Sequence, residues 1–296
     1  MADNTPDDVF KLFDLEDDEQ PVSTGGTGPA NTDTVPVTPA GDTADSWSRI
    51  TGNAELVRVL KAFVTYREPQ THVLVYGPNR SGKTFSVHTA LKAKFCRERR
   101  DDLDPCNRCK SCRTWESGGW NRIGFFRNRE GHDFKYSWID GTNPSTIDEE
   151  LACRYRDRGC PLVLYIDEVS HPEFLKFMPR LIKPMTETPM TIIASGVRLG
   201  GRKDPVTGAR FPGLSKDFVY RFTSIVRTTA PAPPDFRRWL SGEVVRRGLA
   251  PDDAVLDLII ERAGHIPGQA LRPLRAARFL GVPLTLAFVE SYRWEV

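Results

Sequence analysis

Long apolar runs are missing from this chain, and no stretch approaches the roughly 20 residues that a membrane-crossing helix needs. The first residues are acidic, unlike the basic-then-apolar start of an export signal. No membrane partner is expected, and the expected location is cytoplasmic. A large charge excess is missing too, since 41 Lys and Arg against 39 Asp and Glu leave a net +2. That balance hides a division. Residues 1–46 hold 11 of the acidic groups and one basic residue, Lys11, so the other 250 residues carry 40 basic against 28 acidic side chains. A body this basic suits a polyanionic partner, and a solvated surface of mixed charge accounts for part of it. Large apolar residues are scarce from Gln20 to Ser46, where Gly, Pro, Thr, Asp and Ala dominate. Such a segment cannot bury enough surface to offset ordering, so residues 1–46 read as a disordered acidic tail. Near its start, Asp8 to Leu15 is an apolar cluster in an acidic setting. It reads either as a short motif that docks a partner or as a helix that packs back on the body.

With 39% apolar and 27% charged residues, the remainder suits a soluble globular protein. Its most informative stretch is Val73-Leu74-Val75-Tyr76 running into Gly77-Pro78-Asn79-Arg80-Ser81-Gly82-Lys83-Thr84, a G-x-x-x-x-G-K-T phosphate loop. Gly77 and Gly82 let the backbone turn so that successive N–H groups converge at the positive end of the following helix. Lys83 is placed to reach the β- and γ-phosphates, and the Thr84 hydroxyl to hold Mg²⁺. The four apolar residues predict a buried parallel strand, and Phe85 to Phe95 the helix after it.

An α/β rhythm continues downstream. Tyr136 to Asp140 predicts a second strand, followed by a helix from about Ser145 to Arg156. Leu162 to Ile166 predicts another, ending in Asp167 and Glu168. Ligands gather at the carboxyl ends of such strands, which aims this acidic pair at the same crevice as Lys83. Asp167 would orient Mg²⁺ through water and Glu168 would polarise the attacking water. A further strand, Met190 to Ser195, puts the Ser195 hydroxyl within reach of the γ-phosphate or its water. A guanine-reading Asn-Lys-x-Asp motif is absent from the chain, so the expected nucleotide is ATP. Helices are predicted over Asp235–Arg247, Pro251–Gly264 and Pro267–Leu280.

Cysteine is scarce, six in all, yet four of them form Cys96-x9-Cys106-x2-Cys109-x2-Cys112. Four thiolates so spaced can converge on a tetrahedral Zn²⁺, and with all positions taken by protein the metal is structural. The residues between Cys96 and Cys106 are mostly charged, so this knuckle lacks a core of its own and would need the metal to fold. Cys153 and Cys160 fall outside the pattern.

The phosphate loop, the cysteine knuckle directly after it and the strand ending Asp167-Glu168-Val169 together resemble the tau/gamma ATPase subunit of the bacterial DNA polymerase III clamp loader, an AAA+ protein. Further segments carry the resemblance. Trp47 to Asn53 is similar to the family's lead-in beside the adenine, which implies that Ile50 contacts the base, and Leu181 to Pro189 resembles its helix ending in a Glu- and Pro-rich turn. Val219-Tyr220-Arg221-Phe222 lies where the family has Ser-Arg-Cys, and the resemblance makes Arg221 an arginine that enters a neighbouring subunit's ATP site. Gly268-Gln269-Ala270-Leu271-Arg272 is similar to the lid segment whose arginine contacts the γ-phosphate in the same chain. The Leu12-Phe13 pair is loosely similar to peptides that bind bacterial sliding clamps.

The implied architecture is α/β: a P-loop AAA+ parallel sheet flanked by helices over 47–229, with the zinc knuckle at 96–112, then a small helical lid over 230–296. Implied cofactors are ATP, Mg²⁺ and Zn²⁺, and implied partners are other clamp-loader subunits in a ring, a sliding clamp and primer-template DNA. A helicase loader or a non-hydrolysing scaffold subunit are the alternatives. The departures concern neighbours. Tyr220 and Phe222 replace the family's Ser and Cys, and only 24 residues follow Arg272, where the family has a further collar domain. Collar contacts would come from another chain, or the assembly differs, as in a virus-encoded or diverged bacterial relative. A longer loop after Ser195, with Arg198, Arg202, Lys203 and Arg210, suits either phosphate contact with DNA or a solvated loop.

Overall fold

The computed structural model describes residues 44–66, 71–117, 124–144, 161–187, 189–203 and 210–294. Residues 1–43 of the acidic tail with the 8–15 motif, the helix expected from Ser145 to Arg156, Cys153 and Cys160 lie outside these residues. A 3-10 turn, Trp47–Arg49, and α1, Ala54–Thr65, lead into β1, Val73–Tyr76. After the phosphate loop come α2 (Lys83–Phe95), α3 (Lys110–Glu116), β2 (Gly124–Arg127), β3 (Asp133–Asp140) and β4 (Leu162–Asp167). Next are α4 (Pro172–Phe177), α5 (Pro179–Glu187), β5 (Met190–Gly196), the short hairpin β6 (Arg202–Lys203) and β7 (Arg210–Phe211), α6 (Lys216–Val219) and β8 (Ser224–Arg227). Four helices close the chain: α7 (Pro233–Arg246), α8 (Asp253–Ala263), α9 (Pro267–Leu280) and α10 (Leu286–Ser291).

Six strands form one sheet in the order β2-β3-β4-β5-β1-β8, parallel throughout except for the β2–β3 pair. β1 is therefore interior, with Val75 abreast of Ser195 on one side and Val226 on the other. Asp167 stands abreast of Asp140 at the end of β4. The phosphate loop, the acidic pair and Ser195 thus leave the sheet from one edge, as expected for ligand binding beyond the carboxyl ends of parallel strands.

Side chains alternate across the sheet and build a core on each face. Val73, Val75, Tyr165 and Ile193 pack with α1 and α2, whereas Leu74, Leu164, Ile166 and Ile192 pack with α4, α5 and α6. Burying each such aliphatic side chain contributes about 1.5–3 kcal/mol. His72, just ahead of β1, fastens α5 to β5: the Ile192 N–H donates to its Nδ1 at 3.0 Å, which leaves Nε2 to donate to the Met185 carbonyl at 3.1 Å. A third core, with Phe236, Leu240, Ile259 and Leu274 fully buried, lies among α7 to α10.

β3 starts at Asp133, ahead of the expected Tyr136, because the antiparallel partner β2 extends its pairing from Phe126↔Phe134 to Arg127↔Asp133. β2 is held by Phe126, stacked on Phe95 of α2 at 4.8 Å between ring centroids. α8 starts at Asp253 and not Pro251 because the Asp252 carboxylate caps it, accepting the Val255 N–H at 2.9 Å. Among the described residues no helix is long and apolar enough to cross a membrane.

Candidate nucleotide-binding site

The phosphate loop takes its shape from two glycines. Gly77 has φ 145°, and a Cβ there would lie 2.2 Å from Thr228 Oγ1, so only glycine allows the loop to pass this close to the end of β8. Gly82, at φ 94°, turns the chain into α2, whose first-turn N–H groups have no partner within the helix and face the loop. Ser81 ties the loop down through a 2.7 Å hydroxyl bond with Thr228. Pro78, Asn79 and Arg80 form its exposed outer arc. The buried Lys83 ammonium donates to the carbonyls of Gly77 at 2.8 Å and Pro78 at 2.7 Å. Burial lowers its pKa, and Glu168 and Asp167 pull the other way.

Beside it, Ser195 donates its hydroxyl to Asp167 Oδ1, and Thr84 donates to Asp167 Oδ2 at 3.4 Å. The sheet thereby unites the ends of β4 and β5 with the start of α2. The Thr84 hydroxyl and the Asp167 carboxylate are the hard oxygen donors that suit Mg²⁺, an ion that would supply neutralisation of phosphate charge there. Glu168 follows in the left-handed region at φ 54°, a conformation that costs a non-glycine residue energy and turns it off the strand axis. Its neighbours enforce the turn: the Gly141 N–H donates to Asp167 O, and the Val169 N–H to Ser195 O, each at 2.9 Å. Burial, then Asp167, raises the Glu168 pKa above the ordinary glutamate value, with Lys83 offsetting part. A carboxylate so placed is a stronger base than an exposed one.

A cleft of about 440 Å³ opens above the loop, lined by Ile50, Lys83, Thr84, Phe85, Glu168 and Arg272 among others. The chain ahead of α1 and the helical unit make its walls. Arg49 lies 5.1 Å over the Phe85 ring and grips Glu243 of α7 with two bonds of 3.0 Å. Glu243 is 1% exposed and also accepts from Arg246 and Arg247. At the other end, the Gly268 N–H donates to the Arg80 carbonyl at 2.9 Å, seating α9 on the phosphate loop and bringing Arg272 to the cleft one turn later. Arg221 is elsewhere. It precedes β8, whose Ser224 pairs with Val73 at the end of β1 away from the loop. It cannot serve this chain's own cleft from there.

Sequence reading missed Arg49, Glu243 and Tyr165, whose phenol bonds Ser195. Arg49 and Glu243 lie 194 residues apart, and no local pattern couples them.

The four cysteine sulfurs of the 96–112 knuckle lie within 4.8 Å of one another, with Cys96–Cys109 at 3.9 Å and Cys106–Cys112 at 4.0 Å. Sulfurs around a tetrahedral zinc stand about 3.8 Å apart, so this donor set fits that ion. Hydrogen bonding with Cys112 holds the Cys96 thiol down at about 5, and the same contact raises Cys112. The knuckle is better anchored than its charged sequence suggests, because Trp115 of α3 is buried against Phe95 and Tyr136 and Lys92 pairs with Glu116 at 2.5 Å. It also grips the lead-in segment. Asp104 accepts the Trp47 N–H at 2.7 Å, Leu103 O accepts the Trp47 indole N–H at 2.8 Å, and Asn107 donates to Asp45 O at 2.9 Å.

No family model matches the sequence, and no curated protein does. Among solved structures, the Thermotoga maritima RuvB Holliday junction branch migration motor is similar at 14% identity and TM-score 0.48, over 84% of this chain and 71% of that one. Two single-residue variants of the same RuvB match at 15% and 14% identity and TM-scores 0.46 and 0.47, over 83% of this chain and 68% and 72% of theirs. Likeness at this identity concerns the fold alone.

Proposed function

We propose that this chain is an AAA+ ATPase of the clamp-loader type, with residues 47–229 as its nucleotide-binding domain and 230–296 as its lid. The observation that carries the ATPase part is the meeting of Lys83, Thr84, Asp167, Ser195 and Glu168 at one sheet edge, under a helix that seats Arg272 on the same cleft. Lys83, the loop amides and Arg272 would hold the triphosphate, and Ile50 and Phe85 would wall the adenine. Glu168 would take a proton from the attacking water while Ser195 fixes its position. The clamp-loader part rests on the sequence resemblance, above all the knuckle placed directly after the phosphate loop.

In this reading ATP binding closes subunits around primer-template DNA and opens a sliding clamp, and hydrolysis releases both. Arg221, remote from its own cleft, acts in trans on a neighbour, where a guanidinium on the transferring phosphoryl group is worth about 10³ to 10⁵ in rate. The 8–15 segment docks a partner peptide site. The complete loop and acidic pair disfavour a scaffold subunit without hydrolysis.

ATP turnover measured with and without primed DNA and clamp, in the natural protein and in Lys83→Ala and Arg221→Ala, tests the proposal. The expected result is DNA-stimulated turnover lost in both variants, with ATP binding kept in Arg221→Ala. Full DNA-stimulated turnover in Arg221→Ala would remove the trans role, and turnover indifferent to DNA and clamp would remove clamp loading.

A further inference from the structure

Behind the acidic edge lies a hydroxyl that the proposed mechanism does not use. Tyr165 occupies β4 two residues before Asp167, is fully buried in the core between the sheet and α2, and places its phenol oxygen 3.3 Å from Ser195 Oγ. The direction of that bond follows from counting protons. Ser195 has one hydroxyl proton, and it goes to the Asp167 carboxylate, which can only accept. Within this pair the phenol is therefore the donor, and the Thr84 hydroxyl is its second neighbour. Burial and then Asp167 raise the Tyr165 pKa well above the ordinary value, so the phenol remains a donor across the physiological range. The ring is caged: His88 of α2 stands edge-on at 5.6 Å, and His88 itself meets Trp115 edge-on at 5.8 Å.

We infer that Tyr165 is a positioning residue for nucleotide hydrolysis: its phenol occupies the inner lone pair of Ser195 and so holds the serine proton on Asp167, which fixes both the serine oxygen and the carboxylate beside the place of the reacting phosphate. A serine hydroxyl left to itself rotates among three wells, and only one directs its proton to the carboxyl edge. Tyr165 then donates to Ser195 and Ser195 to Asp167 Oδ1, while Thr84 donates to Oδ2, so the hydrogen bonds converge on the carboxylate in preset directions, the kind of preorganisation that lowers a barrier without tightening substrate binding. This inference rests on the hydrolytic reading of the site. A phenol buried only for packing would show the same burial, but not the same dependence on Ser195.

The test compares ATP turnover, ATP affinity and Tm of the full chain in four forms: natural, Tyr165→Phe, Ser195→Ala and the double variant, with Lys83→Ala as the inactive reference. Removing one neutral hydrogen bond predicts that Tyr165→Phe lowers kcat roughly five- to tenfold and leaves ATP affinity within about twofold. Ser195→Ala lowers kcat at least as far, and adding Tyr165→Phe to it changes nothing further. Three results would overturn the inference while leaving hydrolysis intact: an unchanged kcat in Tyr165→Phe, the same fold-loss from Tyr165→Phe in the Ser195→Ala background, or affinity and kcat falling together. Natural protein no faster than Lys83→Ala would instead sink the hydrolytic reading, and this inference with it.

Discussion

The Gly268 N–H donates to the Arg80 carbonyl at 2.9 Å, so the first turn of α9 rests on the backbone of the phosphate loop itself. A side chain has no room there. A Cβ on Gly268 would lie 2.6 Å from Arg80 Cβ and 2.8 Å from its carbonyl oxygen.

Gly268→Ala is therefore expected to push α9 off the loop, at a stability cost of about 1–3 kcal/mol, and to weaken ATP binding because Arg272 moves with the helix. Thermal melts and nucleotide titration check both effects. Gly242→Ala serves as the reference: it sits inside α7 with only the flexible Arg246 guanidinium 3.4 Å away, and should stabilise the chain by about 0.5–1 kcal/mol.

Glu168 supplies a pH signature. Its raised pKa means that the carboxylate becomes protonated, and useless as a base, at a higher pH than an exposed glutamate would. Turnover should fall on acidification with a midpoint above the ordinary value of about 4.3. Glu168→Gln should abolish turnover and keep ATP bound, which a pH–rate profile and a binding isotherm establish together.

The buried carboxylate of Glu243 makes the opposite prediction. Burial alone would raise its pKa, but hydrogen bonds from Arg49 and Arg247 outweigh this and the folded-state pKa lies below the ordinary one. Its contribution to stability is present above the unfolded-state pKa and fades as pH falls through the folded one. Glu243→Gln leaves buried guanidinium groups without their carboxylate and should cost about 3–5 kcal/mol near neutrality, a deficit that shrinks in acid below about pH 4. Denaturant unfolding of both proteins at neutral and acidic pH measures it.

The knuckle should carry a metal. Protein purified without chelator is expected to hold about one zinc per chain, and Cys112→Ser to hold far less. Elemental analysis decides it, and metal-free natural protein would count against the site.

How much of this was legible in the sequence depends on how local each feature is. The phosphate loop and Asp167-Glu168 could be read because a strand, its end and the next turn are contiguous in the chain. The cysteine knuckle could be read because its ligands fall within 17 residues. Ser195 was recognisable as a polar residue ending an apolar strand. Tyr165 was not, since an aromatic residue inside Leu-Val-Leu-Tyr-Ile looks like core and its hydroxyl acquires meaning only from β5. Arg49 with Glu243 and Gly268 with Arg80 depend on how the last four helices settle on the sheet, which no local pattern encodes. β2 escaped notice because it is short and is held by stacking on Phe95, a contact across about 30 residues.

The grip of the cysteine knuckle on Asp45 and Trp47 bears on mechanics. A pull on the chain at Asp45 falls on Asn107, Asp104 and Leu103 of the knuckle as well as on Arg49, whose guanidinium donates to the Asp45 carboxylate at 2.9 Å. The knuckle thus shares any load with Arg49, much as a cord grip takes part of the strain from the terminals behind it.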